Sequence, residues 1–308
     1  MSAASPPVVP TEATFHHVDD ITWTPVQRQR NADGSESIIR ERWPIIRPGF
    51  LSAYVCYERG MVVRRHGHRS NHIVIVLDGS ATIGGERVTE GAHFHVPLGA
   101  AFGPIVSGPE GVFCWEVSFG EFGGWGDQPE LYQQEIERLG VSPLPDPPLF
   151  IGDWFKDPRG DWGAERGSPK VEGLDERLTR YPDLPWSDVS LGGTAVAGVR
   201  EQRAIDTPGF CSAHVAYEPG AVLPRHRRAG HHLLLVVAGG AWCGERWCPA
   251  GTHIEVPAGA PFGPVVAGEE GVRILELVDG DQRSWGDDSD DPDAQADTRS
   301  AWGGPSAR

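Results

Sequence analysis

The chain has 308 residues, with 27 Lys and Arg against 43 Asp and Glu, and carries a formal net charge of -16. That balance argues against nucleic-acid phosphates and acidic membrane surfaces as partners. No run of about eighteen apolar residues offers a membrane span. The opening MSAASPPVVPTEATF has neither a basic n-region nor an apolar h-region, so the expected compartment is the cytoplasm.

In chain order, the first strong signal is a segment that returns later without a gap. PGFLSAYVCYERG, Pro48 to Gly60, answers PGFCSAHVAYEPG, Pro208 to Gly220, at an offset of 160. The match runs from 48–127 to 208–287, with about 36 of 80 positions identical. Weaker echoes precede it: ITWTPV from Ile21 resembles LPWSDV from Leu184, and IRER from Ile39 resembles VREQ from Val199. Two domains are expected, 15–127 and 180–287, each of about 110 residues and large enough for its own core. No oligomer is needed for stability, although a homodimer stays open.

Within each copy, short Val/Ile/Leu/Tyr-rich segments are cut every eight to twelve residues or so by Gly, Pro or Asp, an all-β signature. Between the copies, 128–179 reads as a connector with one helix over Pro129–Gly140, where Leu131, Ile136 and Leu139 share a face. Its Trp154, Phe155 and Trp162 are candidates to pack across a domain. Trp125 and Trp285 are expected to close the two domains with their indoles. The Asp-rich 288–308 reads as a disordered acidic tail. Five dispersed cysteines suit reduced thiols, and Cys243 and Cys248 face each other across a turn.

The copies differ where chemistry is at stake. The first carries RRHGHRSNH over Arg64–His72 and the second PRHRRAGHH over Pro224–His232. On a strand, His66, His68 and His72 share one parity and point to one side. Three neutral imidazoles in a barrel interior are natural ligands for Fe, Ni, Cu or Zn. His95, on the strand before Pro97, is a candidate fourth ligand. Glu116 lies in the last apolar strand, where burial would raise its pKa and suit it to acid–base work. The second copy keeps His226 and His232 but has Arg228 in place of His68, which cripples such a site. The counter-reading there is a triad of His226, His232 and Glu255.

Gly60, five residues, His66-Gly-His68, three residues, His72, six residues and Gly79 resemble the first motif of the cupin superfamily, with histidine for the usual glutamate. Gly91, five residues and Pro97-Leu-Gly99 resemble the second motif. Phe102 stands where these proteins place their last metal histidine, and Val106 where they place an asparagine. The resemblance covers about two thirds of the chain and implies two jelly-roll (cupin) β-barrels in tandem, an all-β bicupin. It implies a metal-dependent enzyme acting on a small organic substrate bound beside Phe102 and Val106. A non-haem Fe(II) dioxygenase is favoured, with a Zn- or Ni-dependent isomerase, cyclase or lyase as the alternative. A non-catalytic binding or sensing protein is the rival from another class.

Overall fold

A computed structural model of the chain describes residues 10–149, 170–191, 193–207, 209–280 and 285–286. Trp154, Phe155 and Trp162, the indole of Trp285 and the tail from 288 lie outside the described residues and side chains. The chain divides into two compact units, one of 1–8 with 21–182 and the other of 9–20 with 183–308.

In the first unit the strands run in the order Ser142–Pro143, Thr24–Arg30, Glu36–Arg47, Phe50–Tyr57, Ile105–Gly126, His66–Ile83, Ala92–Val96 and Arg177–Arg180. Two short strands extend this sheet: Val62–Val63 pairs with Ile105–Gly126, and Glu86–Thr89 with His66–Ile83. All pairings are antiparallel, and Ile105–Gly126 follows His66–Ile83 along nearly its whole length, with register shifts where both strands bend. Alternation selects the interior: Val74 and Val76, Phe94 and Val96, and Val112 and Cys114 belong to one buried cluster with Ala53, Val55 and Tyr57. Burial of one such Phe or Ile side chain contributes about 1.5–3 kcal/mol, so this cluster dominates the stability of the unit.

The second unit repeats the plan, with a sheet ordered Thr14–His17, Thr252–Val256, His231–Cys243, Val265–Asp279, Phe210–Tyr217, Thr194–Thr207 and Ser187–Leu191. Its core gathers Val215, Tyr217, Leu234, Val236, Ile254 and Ile274. Cys243 pairs with Arg246 and Cys248 with Ala241, so the two thiols lie diagonally on one buried face rather than opposite each other. All five cysteines are free.

The units differ at their edges from the spans 15–127 and 180–287 read from the repeat. Thr14–His17 pairs with Thr252–Val256 in the second unit, and Arg177–Arg180 pairs with Ala92–Val96 in the first. Each covers the open edge of a strand that would otherwise present unpaired amides and carbonyls. The two covering strands are related by an offset of 163, the shift that also separates Ile21 from Leu184. The two strands share no residue at that offset, and nothing in them says which barrel each will join.

The connector helix runs Pro129–Leu139 and ends on Gly140 at φ 64°, a left-handed cap that glycine adopts without strain. None of its side chains is fully buried. Among the described residues, no helix is long and apolar enough to cross a membrane.

Candidate functional site

The strand His66–Ile83 carries the histidines inward. His66, His68 and His72 share the parity of Val74 and Val76, which lie in the core. Opposite His66 and His68 the paired residues are Gly126 and Gly124, which leave room for the imidazoles. Gly67 is forced by packing: a Cβ there would sit 2.3 Å from the Ala100 carbonyl oxygen and 2.6 Å from the Trp125 indole. Trp125, 2% exposed, thus lies on the backbone between the two histidines.

The three rings touch in sequence. Centroids of His66 and His68 are 5.1 Å apart, and those of His68 and His72 are 4.4 Å apart, both edge to face. His66 Nδ1 donates to the Arg64 carbonyl at 2.8 Å, which leaves Nε2 as the lone-pair nitrogen. Burial drives the pKa of His66 down to about 4, so the ring is neutral near pH 7. Two backbone hydrogen bonds between His66 and Phe102 hold the Phe102 ring at 4.6 Å from His66 and 5.5 Å from His72. That position offers an aromatic wall and no donor atom.

Glu116 faces the same interior, paired with Val74 and Ala53 in the adjoining strands. His72 Nε2 lies 3.2 Å from one carboxylate oxygen, and the Tyr57 hydroxyl donates to the other at 2.7 Å. With Nε2 turned to Glu116, His72 Nδ1 is buried and has no hydrogen-bond partner among the described residues. Burial raises the carboxyl pKa of Glu116, but the His72 hydrogen bond and charge, with the Tyr57 hydroxyl, outweigh it, and the net shift is downward. The raised pKa expected from an apolar strand is therefore corrected. The strand contains the hydrophobes, but the partners that decide the shift come from elsewhere in the chain. Tyr57 was missed because nothing local marks a strand tyrosine as a partner. Its only sequence signal is that Tyr217 repeats it.

His95 is not part of this cluster. In register, His72 pairs with Val96 and Ile73 with His95, so His95 lies on the opposite face of the sheet from His72. The same rule removes Val106 from the expected pocket wall: its neighbour Ile105 is the core residue, and Val106 pairs outward with Val62 and Thr82. His93 shares the outer face, fully buried, with its ring 5.5 Å from Tyr181. Among the described residues, no group of three or more His, Cys, Asp or Glu side chains is arranged to hold a metal ion as it stands. The donor types suit a divalent transition metal, but their atoms do not close around one point.

The second barrel is built on the same frame with a different centre. His226, Arg228 and His232 are all buried, and the Arg228 guanidinium donates to Glu276 at 2.9 Å, with His232 Nε2 3.4 Å from the same oxygen. Burial raises the Glu276 carboxyl, but the nearby His232 and the Arg228 charge bring it down to about 2. Glu255 does not join His226 and His232. It pairs with Leu233 on the outer face and binds His231 at 2.8 Å, which corrects the triad reading.

The architecture is the tandem jelly-roll fold of the two-domain cupins. No protein-family model and no curated protein sequence matches the chain. Solved structures do. A provisionally assigned dioxygenase from Nostoc punctiforme is similar over 89% of this chain and 84% of its own, with a TM-score of 0.62 at 13% identity. Oxalate decarboxylase from Bacillus subtilis is similar over 89% and 78%, with a TM-score of 0.54 at 16% identity. A variant of that enzyme scores 0.53 at 17% identity over the same shares.

Proposed function

We propose that the first barrel is the working site of a metal-dependent enzyme acting on a small organic molecule. His66, His68 and His72 hold a divalent transition metal there, and Glu116 handles a proton beside it. The observation that carries this reading is the setting of Glu116. Its side chain is 13% exposed, and among the described residues no Lys or Arg pairs with it, whereas its counterpart Glu276, 6% exposed, has Arg228. An ionised carboxylate is costly to bury without a cation. The three imidazoles, with the unpartnered Nδ1 of His72 among their nitrogens, supply ligands for one.

A divalent ion in that place supplies Lewis acidity and open positions for substrate. The chain's own residues do the rest. The Arg64 carbonyl fixes the tautomer of His66, and Tyr57 and His72 orient the Glu116 carboxylate. With its pKa below the ordinary glutamate value, Glu116 is a base that accepts a proton from substrate. Phe102 presents an apolar face beside the histidines and limits water. Imidazole ligation and this apolar wall favour Fe(II) and dioxygenase chemistry. Zn or Ni with isomerase, cyclase or lyase chemistry is the alternative, and the likeness to an oxalate decarboxylase is a reminder that one fold serves several reactions.

A second reading, a binding protein that needs no metal, is favoured by the failure of the donor atoms to converge. Metal per chain decides between the two, measured on protein purified without a metal-binding tag and on the His66→Ala/His68→Ala variant. About one equivalent in the wild type, lost in the variant, is expected. No metal and no uptake on addition of Fe(II), Co(II) or Zn(II) overturns the enzyme reading. Oxygen consumption with candidate substrates then separates oxygenase from Lewis-acid chemistry.

A further inference from the structure

The same six positions recur in both barrels, and only one changes charge. His66, His72, Phe102, Tyr57 and Glu116 have His226, His232, Phe262, Tyr217 and Glu276 as counterparts at an offset of 160, whereas His68 has Arg228. We propose that Arg228 is the built-in cation of the second barrel, standing where the first barrel takes a metal, and that this guanidinium–carboxylate pair closes the second barrel to metal. The proposal rests on the metal reading of the first barrel.

Three features of the geometry carry it. Arg228 is 7% exposed and Glu276 4%, so the pair is out of solvent and each partner answers the other's charge. The guanidinium donates to the same Glu276 oxygen that His232 approaches, so a metal held by His232 and Glu276 would meet a fixed positive charge within hydrogen-bond distance of its own ligand. The tyrosine partner has also been displaced: Tyr57 donates to Glu116, whereas the buried Tyr217 hydroxyl has no hydrogen-bond partner among the described residues. Arg228 has taken over the carboxylate. Arg227, the next residue, is exposed.

The test uses the full chain, stripped with a chelator and titrated with Co(II), with equivalents read by visible absorption and elemental analysis. The wild type is expected to saturate at one equivalent and the His66→Ala/His68→Ala variant at none. Arg228→His is expected to raise the wild-type value to two. An equivalent that survives in His66→Ala/His68→Ala and disappears when His226→Ala is added overturns the proposal. So does an Arg228→His protein that folds and still takes one.

Failure of the first-barrel reading looks different, because the wild type then takes none. The pair is then judged by stability alone. Arg228→Met leaves Glu276 uncompensated and is expected to lower Tm by about 10 °C or to prevent folding, and adding Glu276→Gln should recover most of the loss. An unchanged Tm in Arg228→Met, or a double variant no better than the single one, overturns the proposal whatever the metal content.

Discussion

His253 offers a direct test of how burial governs this chain's response to acid. It is fully buried in the strand Thr252–Val256, and desolvation, with the charge of His16 next, lowers its pKa from 6.5 to about 3. In the unfolded chain the imidazole takes up a proton as pH falls through 6.5, while in the folded protein it stays neutral down to about 3. The unfolded state therefore binds the extra proton throughout that window. The contribution of His253 to stability is complete above about pH 6.5 and is lost progressively as pH falls towards 3. At about pH 5, one and a half units below the unfolded value, the loss is roughly 2 kcal/mol for this one group. Replacing His253 with Gln removes the titration while keeping a polar side chain of similar length. Urea unfolding at about pH 7.5 and about pH 5, followed by tryptophan fluorescence, measures the change for wild type and variant. Because the cost of the substitution itself appears at both pH values, it cancels in the comparison. The wild type is expected to lose roughly 2 kcal/mol more than His253→Gln between the two conditions. Equal losses, within about 0.5 kcal/mol and at unchanged m, would refute the argument that this ring is held neutral by burial.

Other consequences are equally direct. Gly67→Ala places a methyl group against the Ala100 carbonyl and the Trp125 ring, and should cost about 1–3 kcal/mol with a shift in tryptophan emission; chemical denaturation checks both. Phe94→Ala empties a buried position in the first core and is expected to cost about 3–5 kcal/mol in the same assay. Once a substrate is identified, Glu116→Gln should lower turnover by about two to four orders of magnitude. Tyr57→Phe removes a hydrogen bond that depresses the Glu116 pKa, so the acid limb of the rate profile should move to higher pH. An unmoved limb would exclude Glu116 as the titrating base.

Much of the fold can be read from the repeat because its shared residues are those the backbone needs. Gly79 has φ 76°, and a Cβ on it would lie 2.3 Å from the Gly111 carbonyl oxygen; its counterpart Gly239 meets Gly271 in the same way, at 2.2 Å. A Cβ on Gly111 or Gly271 would in turn lie 2.7 or 2.5 Å from the Tyr57 or Tyr217 carbonyl oxygen, so all four glycines recur where neighbouring backbone leaves no space for a side chain. The exchange of edge strands was not legible. Thr14–His17 and Arg177–Arg180 share no residue at the offset of 163, and which sheet each completes is a matter of tertiary reach that no local propensity encodes.

The candidate site was legible only as far as strand parity extends. Parity within His66–Ile83 brings His66, His68 and His72 together, but relating His95 to them needs the register between two strands, and a shift of one residue sends it to the other face. What register adds is the carboxylate. Glu116 and Glu276 occupy equivalent places, the first half-buried and the second buried, and on the proposed reading the residue at 68 or 228 decides how their charge is met. Arginine meets it from within the chain and leaves nothing for a ligand to do. On the proposed metal reading, histidine leaves the charge of Glu116 to an ion from outside the chain. On that same reading, added divalent metal should stabilise the first barrel and leave the second unchanged.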